Sequence, residues 1–152
     1  MRFRFVDRII SFDSGRSIET LKNVANTEDI FDDHFPGYPI LPGALVVETF
    51  EQASQLLIAS TYEFARVGRL DGVQRAAFRH FVRPGDQLKV RCARTKGNDA
   101  AWTISATGEV DGRRVATATL EFSLVDDQAH AERLRETVRV LRASPIEMAG
   151  PA

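Results

Sequence analysis

Cysteine is almost absent from this chain: Cys92 is the only one in 152 residues. A single thiol excludes an internal disulfide, and this usage is typical of a reducing compartment, so we expect a cytoplasmic protein. Apolar and polar residues alternate around Cys92, which predicts a buried strand position. The three histidines lie far apart in the sequence and no cysteine cluster accompanies them, so no metal site is expected.

Long apolar runs and a strong excess of one charge are also missing. The most apolar stretch, residues 44–60, is interrupted by acidic and amide residues, which argues against a membrane span. Residues after Met1 include no continuous apolar segment of the kind that signal peptides have. The net charge of −1 predicts no strong attraction to nucleic acid or to an anionic membrane. Length and composition fit one globular domain.

Proline and glycine are instead concentrated in one stretch, His34–Gly43, which reads HFPGYPILPG. Pro fixes φ and Gly permits positive φ, so this loop should have one defined shape. His34 is a candidate general base because its ordinary pKa lies near neutrality. The Gly43 N–H, at the start of the following helix, is a candidate oxyanion donor. The alternative is a Pro-rich turn that packs on the core, with Glu48, one turn further on, merely solvated.

The helix predicted at residues 44–60 is apolar nearly all round, which is typical of a buried helix. Glu48, Gln52 and Gln55 share the remaining narrow stripe. A carboxylate on a mostly buried helix loses hydration, which raises its pKa unless it has a partner. Alternatively, the stripe faces water or a partner subunit.

Hydrophobic periodicity places strands before and after this helix. Phe3–Phe12 suggests a short helix that passes into a strand, and an amphipathic helix is predicted at residues 128–142, followed by a flexible tail. Two turns are predicted, type II at Arg83–Asp86 and a hairpin at Asp111-Gly112. Further strands are predicted at residues 17–24, 73–82, 88–92, 102–106 and 116–124. This order indicates an α+β fold, an antiparallel sheet around one helix.

The segment His34–Gly43, followed after four residues by Glu48, resembles the motif of hot-dog-fold dehydratases that act on 3-hydroxyacyl thioesters, the FabZ/FabA type. Gln52 also matches, and the resemblance extends over roughly Phe3 to Val125. It implies a hot-dog fold, with an antiparallel sheet wrapped around one long buried helix. Residues 1–126 would form the dehydratase-like domain, and residues 127–152 an additional C-terminal helix and tail.

The resemblance also implies a function, namely dehydration of 3-hydroxyacyl thioesters to trans-2-enoyl thioesters in fatty-acid or polyketide-like biosynthesis. The substrate would be carried on acyl carrier protein or coenzyme A, without a cofactor or metal. A homodimer or higher oligomer is implied, in which His34 of one chain faces Glu48 of another. The implied site residues are His34 and Glu48 as catalytic groups, Gly43, Phe35, Gly37, Gln52 and Phe78 around the substrate, and Arg79 and Arg83 at the carrier.

Several positions depart from the family pattern. Ala77, His80 and Phe81 stand where the family tends to have two arginines and a proline, which weakens the expected contact with an acidic carrier. Glu51 adds an acid beside Glu48. Two alternatives therefore stay open: a thioesterase on the same fold, or a non-catalytic subunit that binds acyl chains. His130 is expected to have no direct chemical role.

Overall fold

The computed structural model of the chain describes residues 4–25 and 40–142. Its elements, in chain order, are β1 (Arg8–Asp13), β2 (Ser17–Asn23), α1 (Gly43–Thr61), β3 (Val67–Phe78), β4 (Gln87–Gly97), β5 (Ala101–Val110), β6 (Arg113–Val125) and α2 (Gln128–Arg142). The two predicted helices are therefore confirmed to within a residue at each end.

The strands form one six-stranded sheet in the order β1-β2-β4-β5-β6-β3, and every neighbouring pair is antiparallel. α1 lies against one face of the sheet and contacts β2 through β6. The alternation predicted for β4 is present, because Leu88, Val90 and Cys92 are buried while Lys89 and Arg91 are exposed. The α+β prediction is confirmed.

Both predicted turns are confirmed by their geometry. The Asp86 N–H donates to the Arg83 carbonyl at 3.0 Å, and Gly85 has a φ of +92°, as the third position of a type II turn requires. Asp111 and Gly112 both have positive φ, 52° and 79°, and they join β5 to β6 in a tight hairpin.

The strand predicted at residues 73–82 was wrong at both ends, since β3 runs from Val67 to Phe78. Its first half contains Gly68, and glycine lowers the strand signal of a sequence. A Cβ on Gly68 would lie 2.8 Å from Ile58 Cδ1 and 2.9 Å from Phe122 Cδ1. Glycine is needed there because β3 approaches α1 closely. After Phe78 the chain leaves the sheet, and the Val82 carbonyl accepts a hydrogen bond from Leu41 at 2.7 Å.

The short helix predicted at the start of Phe3–Phe12 was also wrong, because Arg4–Asp7 have no helical structure. Phe5 and Val6 are instead buried in the segment that leads into β1. The Phe5 N–H donates to Gln52 Oε1 at 2.7 Å. This bond to α1 fixes the segment without the internal bonds of a helix.

The C-terminal helix α2 packs on α1. Leu134, Val138 and Leu141, the predicted apolar stripe, join the main hydrophobic core. Among the residues that the structure describes, no helix combines the length and the apolar character required to cross a membrane.

Candidate functional site

Three of the predicted site residues, His34, Phe35 and Gly37, lie outside the described residues. The other six are described, and the geometry below concerns these. They fall into three places: the start of α1, the polar stripe of α1, and the end of β3 with the segment that follows it.

The start of α1 presents unpaired backbone N–H groups. Pro42 is the N-cap, and its carbonyl accepts hydrogen bonds from Leu45 at 2.9 Å and Val46 at 3.1 Å. The first turn contains no acidic residue that would neutralise the positive end of the helix. No acceptor within residues 4–25 and 40–142 bonds the Gly43 N–H. The start of α1 can therefore stabilise negative charge on a carbonyl oxygen.

Phe78 lies directly beside this helix start. A Cβ built on Gly43 would lie 3.1–3.3 Å from three atoms of the Phe78 ring. The ring itself is 52% exposed. The structure thus brings together Gly43 and Phe78, two residues 35 positions apart in the sequence that were both predicted to contact substrate.

A chain of hydrogen bonds orients Glu48. Gln52, one turn along α1, donates from Nε2 to Glu48 Oε1 at 3.2 Å. The opposite end of the Gln52 amide accepts the bond from the Phe5 N–H. Because both ends of the amide are engaged, Gln52 holds the half-buried Glu48 carboxyl in one orientation, in addition to any contact with substrate.

The polar stripe of α1 opens into a cavity of about 330 Å³, within the size range of small-molecule sites. α1 forms its floor, the N-terminal segment one wall and α2 the roof. The lining residues are Arg4, Val6, Glu48, Glu51, Gln52, Gln55, Leu56, His130, Arg133, Leu134 and Thr137. The prediction that Glu48, Gln52 and Gln55 share one stripe is confirmed.

The sequence reasoning missed the contribution of α2 to this cavity. His130, Arg133 and Thr137 reach the lining because they lie three and four residues apart on one face of α2. That spacing was the available signal. No group of three potential metal-ligating side chains occurs within the described ranges. The lining includes two glutamates and a histidine, residue types that can transfer protons.

Glu51 is perturbed by its position next to Glu48. Burial raises the pKa of Glu51, and the charge of Glu48 and a hydrogen bond between the two carboxyl groups raise it further, while a hydrogen bond with Gln55 lowers it. Glu51 thus holds its proton to a higher pH than an ordinary glutamate.

Arg79 and Arg83 lie apart from the cavity, after Phe78. Both side chains are exposed, and the Arg83 guanidinium lies 5.5 Å from the centre of the Phe81 ring. Phe81 and Arg83 line a second cavity of about 350 Å³, together with Asp86, Val110, Asp111, Arg113 and Val115. The segment is anchored to the sheet, since the Arg79 N–H donates to the Val115 carbonyl at 2.7 Å.

Comparison with known proteins decides the family. Residues 1–119 match the model of the FabA-like domain. The chain belongs to the FabA-like family. The match ends within β6, so α2 lies beyond the part of the chain that defines the family.

Two curated relatives of this FabA-like chain are the 3-hydroxyacyl-[acyl-carrier-protein] dehydratases FabZ of Nitratiruptor sp. and Nitrosospira multiformis. The first is 34% identical over 131 residues, which cover 82% of this chain and 88% of the relative. The second is 39% identical over 119 residues, covering 76% and 82%. A solved hot-dog-like protein from Thermanaerovibrio acidaminovorans superposes with a TM-score of 0.64 at 15% identity, over 83% of this chain and 93% of that one. The FabA-like chain has the hot-dog fold.

Proposed function

We propose that this protein dehydrates 3-hydroxyacyl thioesters to trans-2-enoyl thioesters. The observation that carries the proposal is the Glu48 carboxyl, held by Gln52 on a cavity along α1, in a chain of the FabA-like family.

Each group has a defined part in the reaction. His34 removes the proton from the carbon next to the thioester carbonyl, and the Gly43 N–H stabilises the negative charge that develops on the carbonyl oxygen. The electrons of the broken C–H bond form the double bond as the C–O bond breaks. Glu48 protonates the departing hydroxyl, directly or through a water that it positions, so that it leaves as water. His34 then returns a proton to Glu48.

The acyl chain would be delivered on acyl carrier protein, the substrate carrier of the FabZ relatives, with coenzyme A as the second candidate. Arg79 and Arg83 are exposed cations beside Phe78, which borders the start of α1. An acidic carrier that docks on these arginines would place its thioester at Gly43.

A turnover assay tests the function. Wild type is assayed on 3-hydroxybutyryl thioesters of carrier protein, pantetheine and coenzyme A. His34→Ala and Glu48→Gln should each lower kcat by about two to four orders of magnitude, the usual contribution of general acid–base catalysis. Glu63→Gln, at an exposed glutamate just after α1, is the matched control and should keep wild-type rates.

The same samples exclude the alternatives. Release of free thiol from acyl-coenzyme A without enoyl formation would mean a thioesterase. Thioester binding without turnover, unchanged in His34→Ala, would mean a non-catalytic binding subunit. Either result would contradict dehydration.

We further propose that the working unit is at least a homodimer with a composite site. β3 is one edge of the sheet, and its second half is exposed, including Val73 at 37% and Phe78 at 52%. An exposed apolar edge strand is prone to pair with another chain, and a two-fold pair is the commonest solution. The competing arrangement is a monomer. It is favoured because the apolar residues of α2 pack on the hydrophobic core that contains α1, which leaves less apolar surface for a partner to bury.

A mixing experiment separates the two arrangements. Inactive His34→Ala and Glu48→Gln chains are unfolded together and refolded, and mixed dimers are identified by mass. A composite site restores one complete His34–Glu48 pair per mixed dimer, so those dimers should regain up to about half of wild-type activity. Mixed dimers without recovery would place both residues in one chain, and a monomer in sedimentation would end the proposal.

A further inference from the structure

The C-terminal helix α2 forms one wall of the cavity that Glu48 lines. The match to the family model ends at residue 119, whereas α2 runs from Gln128 to Arg142. The lining residues from α2 are His130, Arg133, Leu134 and Thr137. The chemistry of this wall is therefore set by residues that the family model does not include.

Arg133 differs from its arginine neighbours on α2. Arg135 pairs with Glu132 at 3.3 Å, and Arg139 pairs with Glu136, so each of these arginines is bound to an acid three residues earlier. Arg133 forms no ion pair with any residue that the structure describes. Since an arginine is always protonated, Arg133 brings to the cavity a positive charge that the acids of its own helix leave uncompensated.

Arg4 is a second cation of this kind. It lines the cavity from the N-terminal segment, and within residues 4–25 and 40–142 it has no ion pair either. Glu48 and Glu51 line the same cavity but pair with neither arginine. Burial, and then the charge of Glu48, raises the pKa of Glu51, which reduces the negative charge that an anionic ligand would meet. Both guanidinium groups are therefore available to such a ligand.

The position of the cavity identifies which part of a substrate would enter it. Gly43 and Phe78, which we assign to the thioester, are not among its lining residues. With the hydroxyl-bearing carbon at Glu48, the part of the acyl chain beyond that carbon is the part that extends into the cavity. The apolar lining residues are Val6, Leu56 and Leu134. They suit the methylene groups of such a chain, whereas the arginines suit a charged end.

We propose that Arg133 is a specificity-determining residue, which selects acyl chains that end in a carboxylate. This inference rests on the proposed dehydration. The planar guanidinium can donate two parallel N–H···O bonds to a carboxylate, and Arg4 adds a second positive charge. A plain alkyl chain of the same length gains only the apolar contacts.

Calorimetric binding of saturated acyl-pantetheines tests the proposal without turnover. Succinyl, adipoyl and suberyl thioesters are compared with the butyryl, hexanoyl and octanoyl thioesters of matching length, and with the methyl esters of the diacids. In wild type, the best carboxylate should bind about tenfold more tightly than its alkyl and ester counterparts, as expected for a hydrogen bond between charged groups. Arg133→Gln should abolish this preference. Arg139→Gln, which removes the same charge from an exposed position of the same helix, should keep it.

Two binding results would overturn the proposal. One is equal binding of the carboxylate and alkyl chains by wild type, which needs no variant to fold. The other is a gain that depends on Arg133 but comes from the phosphate of phosphopantetheine on an alkyl thioester. Arg133 would then contact the arm of the carrier and not the end of the acyl chain.

Turnover separates this inference from the proposed function. The best-bound carboxylate and its alkyl counterpart are prepared as 3-hydroxyacyl thioesters, and kcat/KM is measured for wild type, Arg133→Gln and Arg139→Gln. A preference for the carboxylate of about tenfold, expressed in KM and lost only in Arg133→Gln, supports the role of Arg133. If wild type turns over neither substrate, dehydration fails, while a binding preference that depends on Arg133 still supports the selection. A dehydratase that binds and converts both chains equally would keep the function and overturn the selection.

Discussion

Both halves of α1 carry polar residues but use them differently. In the second half, residues 53–59 are all buried, and Gln55 binds both backbone groups of Gly68, donating to its carbonyl at 2.7 Å and accepting from its N–H at 3.1 Å. In the first half, Glu48, Glu51 and Gln52 are only half-buried and line a cavity.

The difference shows how one buried helix can serve both stability and chemistry. Gln55 satisfies two groups of β3 that would otherwise be buried without partners, where the strand lies closest to α1. The acids of the first half have basic and amide neighbours at the cavity instead, and burial and the charge of Glu48 raise the pKa of Glu51. Polar residues with perturbed pKa in a cavity are typical of functional sites, whereas fully bonded buried amides are typical of structural ones.

Gln55→Ala should give the largest change in stability. It leaves the Gly68 N–H and carbonyl buried without partners, and each unsatisfied group costs about 1–3 kcal/mol of unfolding free energy. Activity per folded molecule should change little, because Glu48 keeps its bond from Gln52. Urea denaturation and kcat measured on the folded fraction check both parts.

Gln74→Ala is the matched control for that substitution. Gln74 is an exposed amide on β3, the strand that also contains Gly68. It should leave stability within about 0.5 kcal/mol, as surface substitutions usually do. A loss of activity in Gln55→Ala equal to that of Glu48→Gln would erase the contrast between the two halves of α1.

Gly43→Val should show the opposite profile, with a reduction in kcat of at least about tenfold, or 1.4 kcal/mol, and a smaller loss of stability. The added side chain stands beside the N–H that faces the substrate carbonyl and against the Phe78 ring. That ring is half-exposed and can move aside. Ala44→Val, one residue later at an exposed position, controls for a β-branched residue at the helix start. Unchanged kinetics in folded Gly43→Val would contradict the oxyanion role.

The sequence predicted most of the fold, and its failures have physical causes. The apolar periodicity of α1 and the alternation of β4 to β6 depend on local spacing, so the sequence predicted both. It did not predict the start of β3, because the glycine at position 68 is required by a tertiary contact with Ile58 and Phe122 and not by strand propensity. The structural task of Gln55 was hidden for the same reason, since its partner Gly68 lies 13 positions away.

The candidate site was predicted in part. The stripe of Glu48 and Gln52 follows from helical geometry, and the pairing of Gly43 with Phe78 agrees with the substrate contacts that the resemblance implied. The roles of these residues, and of His34, remain predictions. His130 and Arg133 were not expected at the cavity, because the packing of α2 on α1 depends on the whole fold and lies beyond the family resemblance.

Glu51→Gln should produce the smallest effect, a pH-dependent gain in stability. The folded-state pKa of Glu51 is raised from the ordinary value of 4.5, so its contribution to stability is fully present below that pH and is lost as the pH rises through the raised pKa. Glutamine cannot ionise and escapes this loss. The difference in unfolding free energy between Glu51→Gln and wild type should therefore grow in favour of the variant from about pH 4.5 and become constant above the folded-state pKa.

Urea denaturation at a series of pH values measures this difference, with Glu63→Gln as the surface control for the same change of charge. A difference that stays constant across this range would mean that Glu51 ionises in the folded protein as it does in the unfolded chain, and the first half of α1 would then lack the electrostatic cost that sets it apart from the second.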